Sequence, residues 1–239
     1  MLNRKLIFVS LVLCLVSRSG YVIGETVTDY LPLTDGNYWT YSVNGDLGSY
    51  QETVTVLQGT TTINGIPTKA LRYSGGPYDQ VVEYWTNDDE GIRLHGVDYP
   101  DSDAGPVSLT FDPPLVTANK VMNLHESVKT EGQVTFDFTN NGTFILDYVS
   151  SYTLEGTETV TVPAGVYETV KVTGSLLITG SLGGEPFRDE ESSSTWSAEY
   201  IGDVKDENTD TNGTETAILV NTNVRPPLRF LPYLPLLLD

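Results

Sequence analysis

The chain has 239 residues, with 13 Lys and Arg against 32 Asp and Glu, and its formal net charge is −19 at pH 7. A surface this acidic repels phosphate backbones and anionic lipid, so nucleic-acid binding is disfavoured, and a cation, a basic partner or simple solubility is favoured. The length suffices for one large β domain or two small ones that bury a core without disulfides.

Residues 1–24 predict a signal peptide. Arg4 and Lys5 form a basic start, and residues 6–16 (LIFVSLVLCLV) form an apolar core that is too short to span a bilayer. We expect cleavage before Glu25, export to the periplasm or the exterior, and no transmembrane segment in the mature chain. Because the signal peptide carries three basic groups and no acidic one, the mature net charge is near −22.

Cys14 is the only cysteine, and it lies inside that apolar core. A lipoprotein signal needs a small residue directly before its cysteine, whereas Leu13 is bulky, so cleavage is favoured over lipidation. The mature chain then holds no cysteine, which excludes thiol catalysis, thiolate metal sites and disulfides.

Beyond the signal peptide the sequence predicts strands and turns. No window of ten or more residues shows a 3.6-residue apolar period, whereas Thr, Val and Tyr recur at period two between Gly, Asn, Asp and Pro. Asn64-Gly65 predicts a two-residue hairpin. We expect one β domain over residues 25–224 with about eleven or twelve strands. These are predicted at residues 37–43, 51–63, 66–73, 80–86, 92–97, 107–111, 128–138, 143–154, 158–162, 166–179, 187–200 and 216–224.

Three segments depart from this pattern. Pro113-Pro114 should exclude a central strand because neither residue has a backbone N–H to donate. Residues 117–126 (TANKVMNLHE) are the one place where a short helical turn is expected. From Arg225 the sequence becomes apolar and proline-rich (RPPLRFLPYLPLLLD), which rules out a continuous helix. We interpret residues 225–239 as a strap over one mouth of the sheet or, alternatively, as a docking tail for a partner or envelope surface.

The sequence offers little catalytic chemistry. Only His95 and His125 are available as bases near neutral pH, and they form no HExxH pattern. No G-x-S-x-G elbow appears, and the pair Glu190-Glu191 is expected in a solvated turn. No catalytic residue is therefore predicted, and a hydrolase that uses either histidine with carboxylates is kept only as an alternative.

The segment from Asn208 to Gly213 (NTDTNG) matches the opening of a calcium loop. Oxygen-bearing side chains at alternate positions converge on one cation, and the glycine permits a sharp turn. The bidentate Glu of such loops is missing, and an ordinary Asn/Asp/Gly turn is the alternative interpretation. We name as candidate calcium ligands Asn208, Asp210, Asn212 and Glu215.

Aromatic residues recur in the predicted strands. Such residues more often form core or line a barrel than a sugar platform, but their polar edges can also line a pocket for an amphipathic ligand. We name as candidate ligand-lining residues Trp39, Tyr41, Trp85 and Trp196.

Three blocks resemble an uncharacterised family of secreted or lipoprotein bacterial proteins, a domain of unknown function. Residues 30–41 (YLPLTDGNYWTY) resemble its Y-x-P-L-x-x-G-N-x-W-x-Y opening, and residues 159–172 (TVTVPAGVYETVKV) resemble its T-V-P-A-G-x-F/Y-x-x-V-K-V block. Residues 196–205 (WSAEYIGDVK) are similar to W-x-A-P-G-V-G-x-V-K, with Glu199 and Tyr200 replacing Pro-Gly. The resemblance implies a large curved antiparallel sheet, similar to the open or half β-barrels of periplasmic lipoprotein and lipid carriers.

The sequence thus predicts an all-β, exported, non-enzymatic protein. The concave face of its curved sheet is expected to hold a hydrophobic small molecule or a segment of an envelope protein. A calcium-stabilised structural or interaction module is the alternative function, and a hydrolase is the second alternative. No cofactor other than calcium is expected.

Overall fold

The structure, a computed structural model, describes residues 30–46, 48–100, 105–211 and 213–226. The predicted signal peptide, Asn212 and residues 227–239 lie outside the described residues. No helix in the described part of the chain is long and apolar enough to cross a membrane. The strands are β1 (Tyr38–Gly45), β2 (Gly48–Val56), β3 (Thr61–Ile63), β4 (Ile66–Ser74), β5 (Val82–Asp88), β6 (Gly91–Tyr99), β7 (Val107–Asn119), β8 (Ser127–Phe138), β9 (Gly142–Val162), β10 (Gly165–Leu182), β11 (Glu185–Ala198), β12 (Gly202–Asp210) and β13 (Gly213–Thr222).

The strands form an antiparallel sheet that closes into a barrel. Apart from β2 and β3, strands that are neighbours along the chain pair with each other, and β13 pairs with β1 to complete the circle. β2 pairs directly with β4, so the short β3, which pairs only with β4, lies outside a circle of twelve strands. The predicted all-β fold with a large curved antiparallel sheet is confirmed, and the curvature continues to full closure, which leaves no free sheet edge along the closed part.

Alternation along the strands separates the core from the outer surface. On β1, Trp39, Tyr41 and Val43 are buried, whereas Thr40 and Ser42 between them are partly exposed. This is the period of two that a strand imposes on its side chains. The hairpin predicted at Asn64-Gly65 is confirmed between β3 and β4, and both residues have positive φ.

The expectation that the proline pair excludes a strand is wrong, because β7 runs through Pro113 and Pro114. The β7–β8 ladder ends at Asp112, and the β6–β7 ladder resumes only at Leu115. The two prolines therefore lie where neither neighbouring strand requires a backbone donor.

Other boundaries also differ from the sequence-based expectation. Residues 51–63, expected as one strand, belong to β2 and β3, which residues 57–60 separate. Residues 117–126, expected to hold a helical turn, form the end of β7 and an irregular connection to β8. Residues 143–154 and 158–162, expected as two strands, belong to the single strand β9, which carries an irregularity opposite Lys171 and Val172. β12 was not expected, because its inward positions carry polar residues rather than an apolar alternation.

Gly174 on β10 leaves room for the ring of Tyr152 on β9. The two residues are register partners, and a Cβ at position 174 would lie 2.3 Å from Tyr152 Cε1 and 2.7 Å from Ser193 Oγ. Tyr152 is only 2% exposed, so its ring has little space into which to move. The absence of a side chain at position 174 is therefore part of the core packing.

We expect Gly174→Ala to lower the free energy of unfolding by about 1–3 kcal/mol, the usual cost of overpacking a core. Urea denaturation measures this change. Ser175→Thr, which adds one carbon at the exposed neighbouring position, is the matched control and should change stability by less than about 0.5 kcal/mol. Equal effects from the two variants would contradict the packing role of Gly174.

Candidate functional site

Three of the four predicted lining aromatics come together inside the barrel. Trp39, Tyr41 and Trp85 surround a cavity of about 20 Å³. The indole nitrogens are satisfied within the protein, since Trp39 Nε1 donates to Ile201 O and Trp85 Nε1 donates to Glu83 Oε2. A cavity of this size holds about one water molecule, so a lipid-sized ligand does not fit between these residues.

Trp196 lies apart from the other three, on the outer face of β11. Its neighbours Thr195 and Ser197 face inward, where both hydroxyls donate to buried carboxylates. The Trp196 ring lies between two ammonium groups, with Lys171 Nζ 4.6 Å and Lys205 Nζ 4.1 Å from its centroid. Trp196 is 5% exposed, and its two cation–π contacts link β11 to β10 through Lys171 and to β12 through Lys205.

The residues named as calcium ligands lie on the β12–β13 hairpin. Asn208 and Glu215 are register partners, and Gly213 N donates to Asp210 Oδ1 at 3.1 Å, a local bond that Asp commonly accepts in turns. Asn212 lies outside the described residues. Within the described ranges, no group of three His, Cys, Asp or Glu side chains could hold a metal ion. The calcium site stays a prediction.

The two histidines lie in contrasting environments. His95 is 2% exposed, and its Nε2 is 2.9 Å from Thr86 Oγ1. Burial, with the charge of Arg93, lowers the pKa of His95 and keeps the imidazole neutral near pH 7. His125 has a largely exposed side chain, with Nδ1 3.8 Å from Glu155 Oε2. His95 is out of reach of a substrate in solution, and His125 has only this carboxylate beside it at ion-pair distance among the described residues.

An acidic cluster occupies the barrel interior. Its members come from β2, β5, β12 and β13. The acids on β2, β5 and β12 are at most 5% exposed, and Glu215 on β13 is partly exposed. The sequence analysis did not identify this cluster. The available signal was that Glu52 lies two positions before Val54 and Glu83 two positions before Trp85, so each acid shares the inward face of its strand with an apolar residue. The cluster consists of Glu52, Glu83, Asp203, Asp206 and Glu215.

Neutral groups supply the hydrogen bonds of this cluster. Glu83 Oε2 accepts bonds from Tyr73 Oη at 3.0 Å and from Trp85 Nε1 at 2.9 Å. Asp206 Oδ1 accepts a bond from Thr195 Oγ1 at 2.6 Å. Among the described residues, Glu52 Oε2 is a buried oxygen with no hydrogen-bond partner. An ionised carboxylate is costly in such surroundings, so the protonated form is favoured.

The pKa values follow from this burial. Burial first, and then the neighbouring carboxylates of Glu215 and Glu83, together raise the pKa of Glu52 to about 8. Burial likewise raises the pKa of Glu83 to about 8 and that of Asp206 well above its usual range. The folded state therefore binds more protons than the unfolded state between about pH 4.5 and pH 8, and stability falls as the pH rises through this window.

We expect wild-type protein to be more stable near pH 5 than near pH 8, and Glu83→Gln to weaken this dependence by up to about 1.4 kcal/mol per pH unit. Glutamine does not titrate, and its side-chain oxygen still accepts the bonds from Tyr73 and Trp85. Urea denaturation across this pH range measures the slope. Glu185→Gln, at an exposed end of β11, should keep the wild-type slope. Stability that rises from pH 5 to pH 8 in the wild type would refute the buried neutral cluster.

A groove of about 880 Å³ opens at one rim of the barrel. Its walls are the β9–β10 turn and the start of β10 (163–170), the β11–β12 turn (198–201), and the end of β13 with the chain beyond it (220–226). Tyr30 also lines it. Val166 projects into this space and is 66% exposed, which is unusual for a valine on a strand.

In the described part of the chain, two strand edges that lack a ladder partner face this rim groove. The β10–β11 ladder begins at Thr169, so within the described chain residues 165–168 of β10 pair only with β9. The β12–β13 ladder stops at Ile218, so among the residues that the structure describes, 219–222 of β13 pair only with β1, apart from the bond from Ala164 N to Leu219 O at 3.1 Å. Such edges are templates for pairing with another extended segment.

Val220 sits in an irregularity of the β1–β13 ladder. Tyr41 pairs with Leu219 and Thr40 pairs with Asn221, so Val220 has no partner on β1. A bulge of this kind re-aims a side chain, and Val220 lines the rim groove. The groove thus combines aliphatic side chains with backbone edges.

Comparisons with known proteins give no family assignment. No protein-family model matches the sequence, and no curated protein matches it. Two solved structures resemble the chain. A candidate lipoprotein from Parabacteroides distasonis is 16% identical, with 84% of this chain and 100% of that chain covered and a TM-score of 0.49. A candidate exported protein with a YmcC-like fold from Bacteroides fragilis is 15% identical, with 79% and 96% covered and a TM-score of 0.48. Neither likeness assigns this chain a function, and the family resemblance drawn from the sequence blocks stays a prediction.

Proposed function

We propose that this protein is an exported, non-enzymatic binding module that holds an extended apolar segment of an envelope protein in the rim groove. The observation that carries the proposal is that two strand edges in one groove have no ladder partner among the described residues. An extended peptide gains affinity by adding a strand to such an edge and specificity from pockets for its alternate side chains. A closed and filled barrel otherwise offers little backbone for recognition.

The groove supports this proposal by its size and lining. Its volume of about 880 Å³ lies within the roughly 300–1,000 Å³ range of ligand sites. Val166, Val220 and Tyr167 supply apolar surface beside the strand edges. The space at Trp39, Tyr41 and Trp85 is about 20 Å³, so the rim groove replaces the concave face as the proposed binding site.

Export is part of the proposal and is supported by the sequence. Residues 1–24 have the basic start and short apolar core of a signal peptide, and the mature chain lacks cysteine. The destination is the periplasm or the exterior. There, an acidic net charge near −22 disfavours anionic lipid surfaces and leaves a neutral or basic protein segment as the better partner.

A photo-cross-linker tests the groove directly. We expect p-benzoylphenylalanine in place of Val166, in the full chain exposed to the cell's own envelope fraction, to form an adduct with one envelope protein. Mass spectrometry should map the adduct to an extended apolar stretch. The matched control carries the cross-linker in place of Ile145, an equally exposed aliphatic residue of β9 that does not line the groove, and should form no such adduct.

A second measurement establishes specificity. A synthetic peptide with the mapped sequence should bind wild-type protein and lose at least about tenfold in affinity for Val166→Asp, because the new charge must be desolvated against an apolar partner. Ile145→Asp should bind it normally. A lipid-sized adduct, equal adducts at both positions, or an adduct only within the same chain would overturn the partner role.

A further inference from the structure

We infer that residues 227–239 of the same chain occupy the rim groove until a partner displaces them. This inference rests on the proposed function and names the resident competitor for that site. The supporting observations are the point where the described chain ends, the composition of the segment that follows, and the apolar lining of the groove.

The chain is directed into the groove by its last anchored residues. Asn223 Nδ2 donates to Gly36 O at 2.9 Å, and Asn223 Oδ1 accepts from Tyr38 N at 2.8 Å. Val224 is 7% exposed, and Pro226, the last described residue, lines the groove. The described chain therefore ends at the groove wall.

The segment has the composition of a groove occupant. Eight of its thirteen residues are Leu, Phe or Tyr, and exposing them to water would cost about 25 cal/mol for each Å² of apolar surface. Leucine recurs at every third position, at 228, 231, 234 and 237, between prolines. In a polyproline II conformation, which has three residues per turn, this spacing puts the four leucines on one face. Aromatic-lined grooves recognise such segments, and Tyr30 and Tyr167 line this one.

Hydrophobicity separates the two chain ends that could enter the groove. Charge does not, because the lining carries Glu168, Glu199 and Arg225 and the segment carries both Arg229 and Asp239. The opposite end of the described chain also begins in the groove, at Tyr30, but the residues before it (ETVTD, 25–29) are polar and acidic. The apolar part of the groove lining therefore favours residues 227–239 over residues 25–29.

Direct connection favours the same chain over a second copy. A short linker gives an effective concentration of about millimolar, which a second copy does not reach at ordinary protein concentrations. The prolines at 227, 232 and 235 lack backbone donors, so the segment cannot form a full ladder with either strand edge. A proline-free partner can form that ladder, which explains how it would displace the resident segment.

Engineered disulfides test this contact in a mature chain that has no cysteine of its own. Val166→Cys is combined in turn with Leu228→Cys, Leu231→Cys or Leu234→Cys in residues 25–239, under oxidised glutathione. We expect at least one pair to form an intramolecular disulfide at least about tenfold faster than the control pair Ile145→Cys with Leu231→Cys, because only thiols held within about 7 Å link readily. The product is a monomer on a non-reducing gel.

The outcomes separate this inference from the proposed function. Disulfide-linked dimers would assign the groove to a second copy and overturn the inference, and so would equal rates for the groove and control pairs. A partner adduct at position 166 without any intramolecular disulfide would contradict the inference and still support the proposed function. A rapid intramolecular disulfide without a partner adduct would support the inference and overturn the proposed function.

Discussion

The pairing of β13 with β1 is the interaction on which the rest of the structure depends. It joins residues about 180 positions apart, and the bond from Thr222 Oγ1 to Tyr38 O at 2.6 Å fixes their register at the rim. Closing so long a loop costs entropy, which long-range ladder bonds and buried side chains must offset together. One consequence is geometric, since closure places Tyr30 and Pro226, the two ends of the described chain, in the same rim groove.

Closure also determines the chemistry of the interior. A twelve-stranded barrel encloses more volume than aliphatic side chains alone fill, and here Tyr, Trp and carboxyl side chains complete the packing. Glu83, held by Tyr73 and Trp85, has its bonds satisfied by neutral donors and is best accommodated with a proton. The acids are therefore structural when protonated and repulsive when ionised. The same residue type serves opposite roles inside and outside the barrel, because the many exposed acids remain charged in water.

The sequence predicts the strands well because alternation is a local property. The pattern around Trp39 and Trp85 identifies β1 and β5, and Asn64-Gly65 identifies its hairpin, without knowledge of the partner strand. Other features depend on which strands pair and in what register, and local alternation does not encode this pairing. These features are the closure by β13, the passage of β7 through Pro113 and the polar strand β12. Residue type alone groups Trp196 with the inner aromatics, although its alternation with the inward Thr195 and Ser197 puts it on the outer face. The rim groove, built from strand ends, has no local signature.

The unpaired edges at the rim pose a problem that the closed wall of the barrel avoids. An exposed edge beside Val166 and Val220 invites pairing with any extended chain, which is a route to aggregation. A proline-rich apolar segment covers such an edge without continuing it, because it shields the side chains while offering few donors of its own. It therefore protects the edge without propagating a sheet, and it binds less tightly than a segment that can form the complete ladder. If residues 227–239 occupy the groove as we propose, protection of the free protein and exchange for a partner both follow from the prolines at 227, 232 and 235.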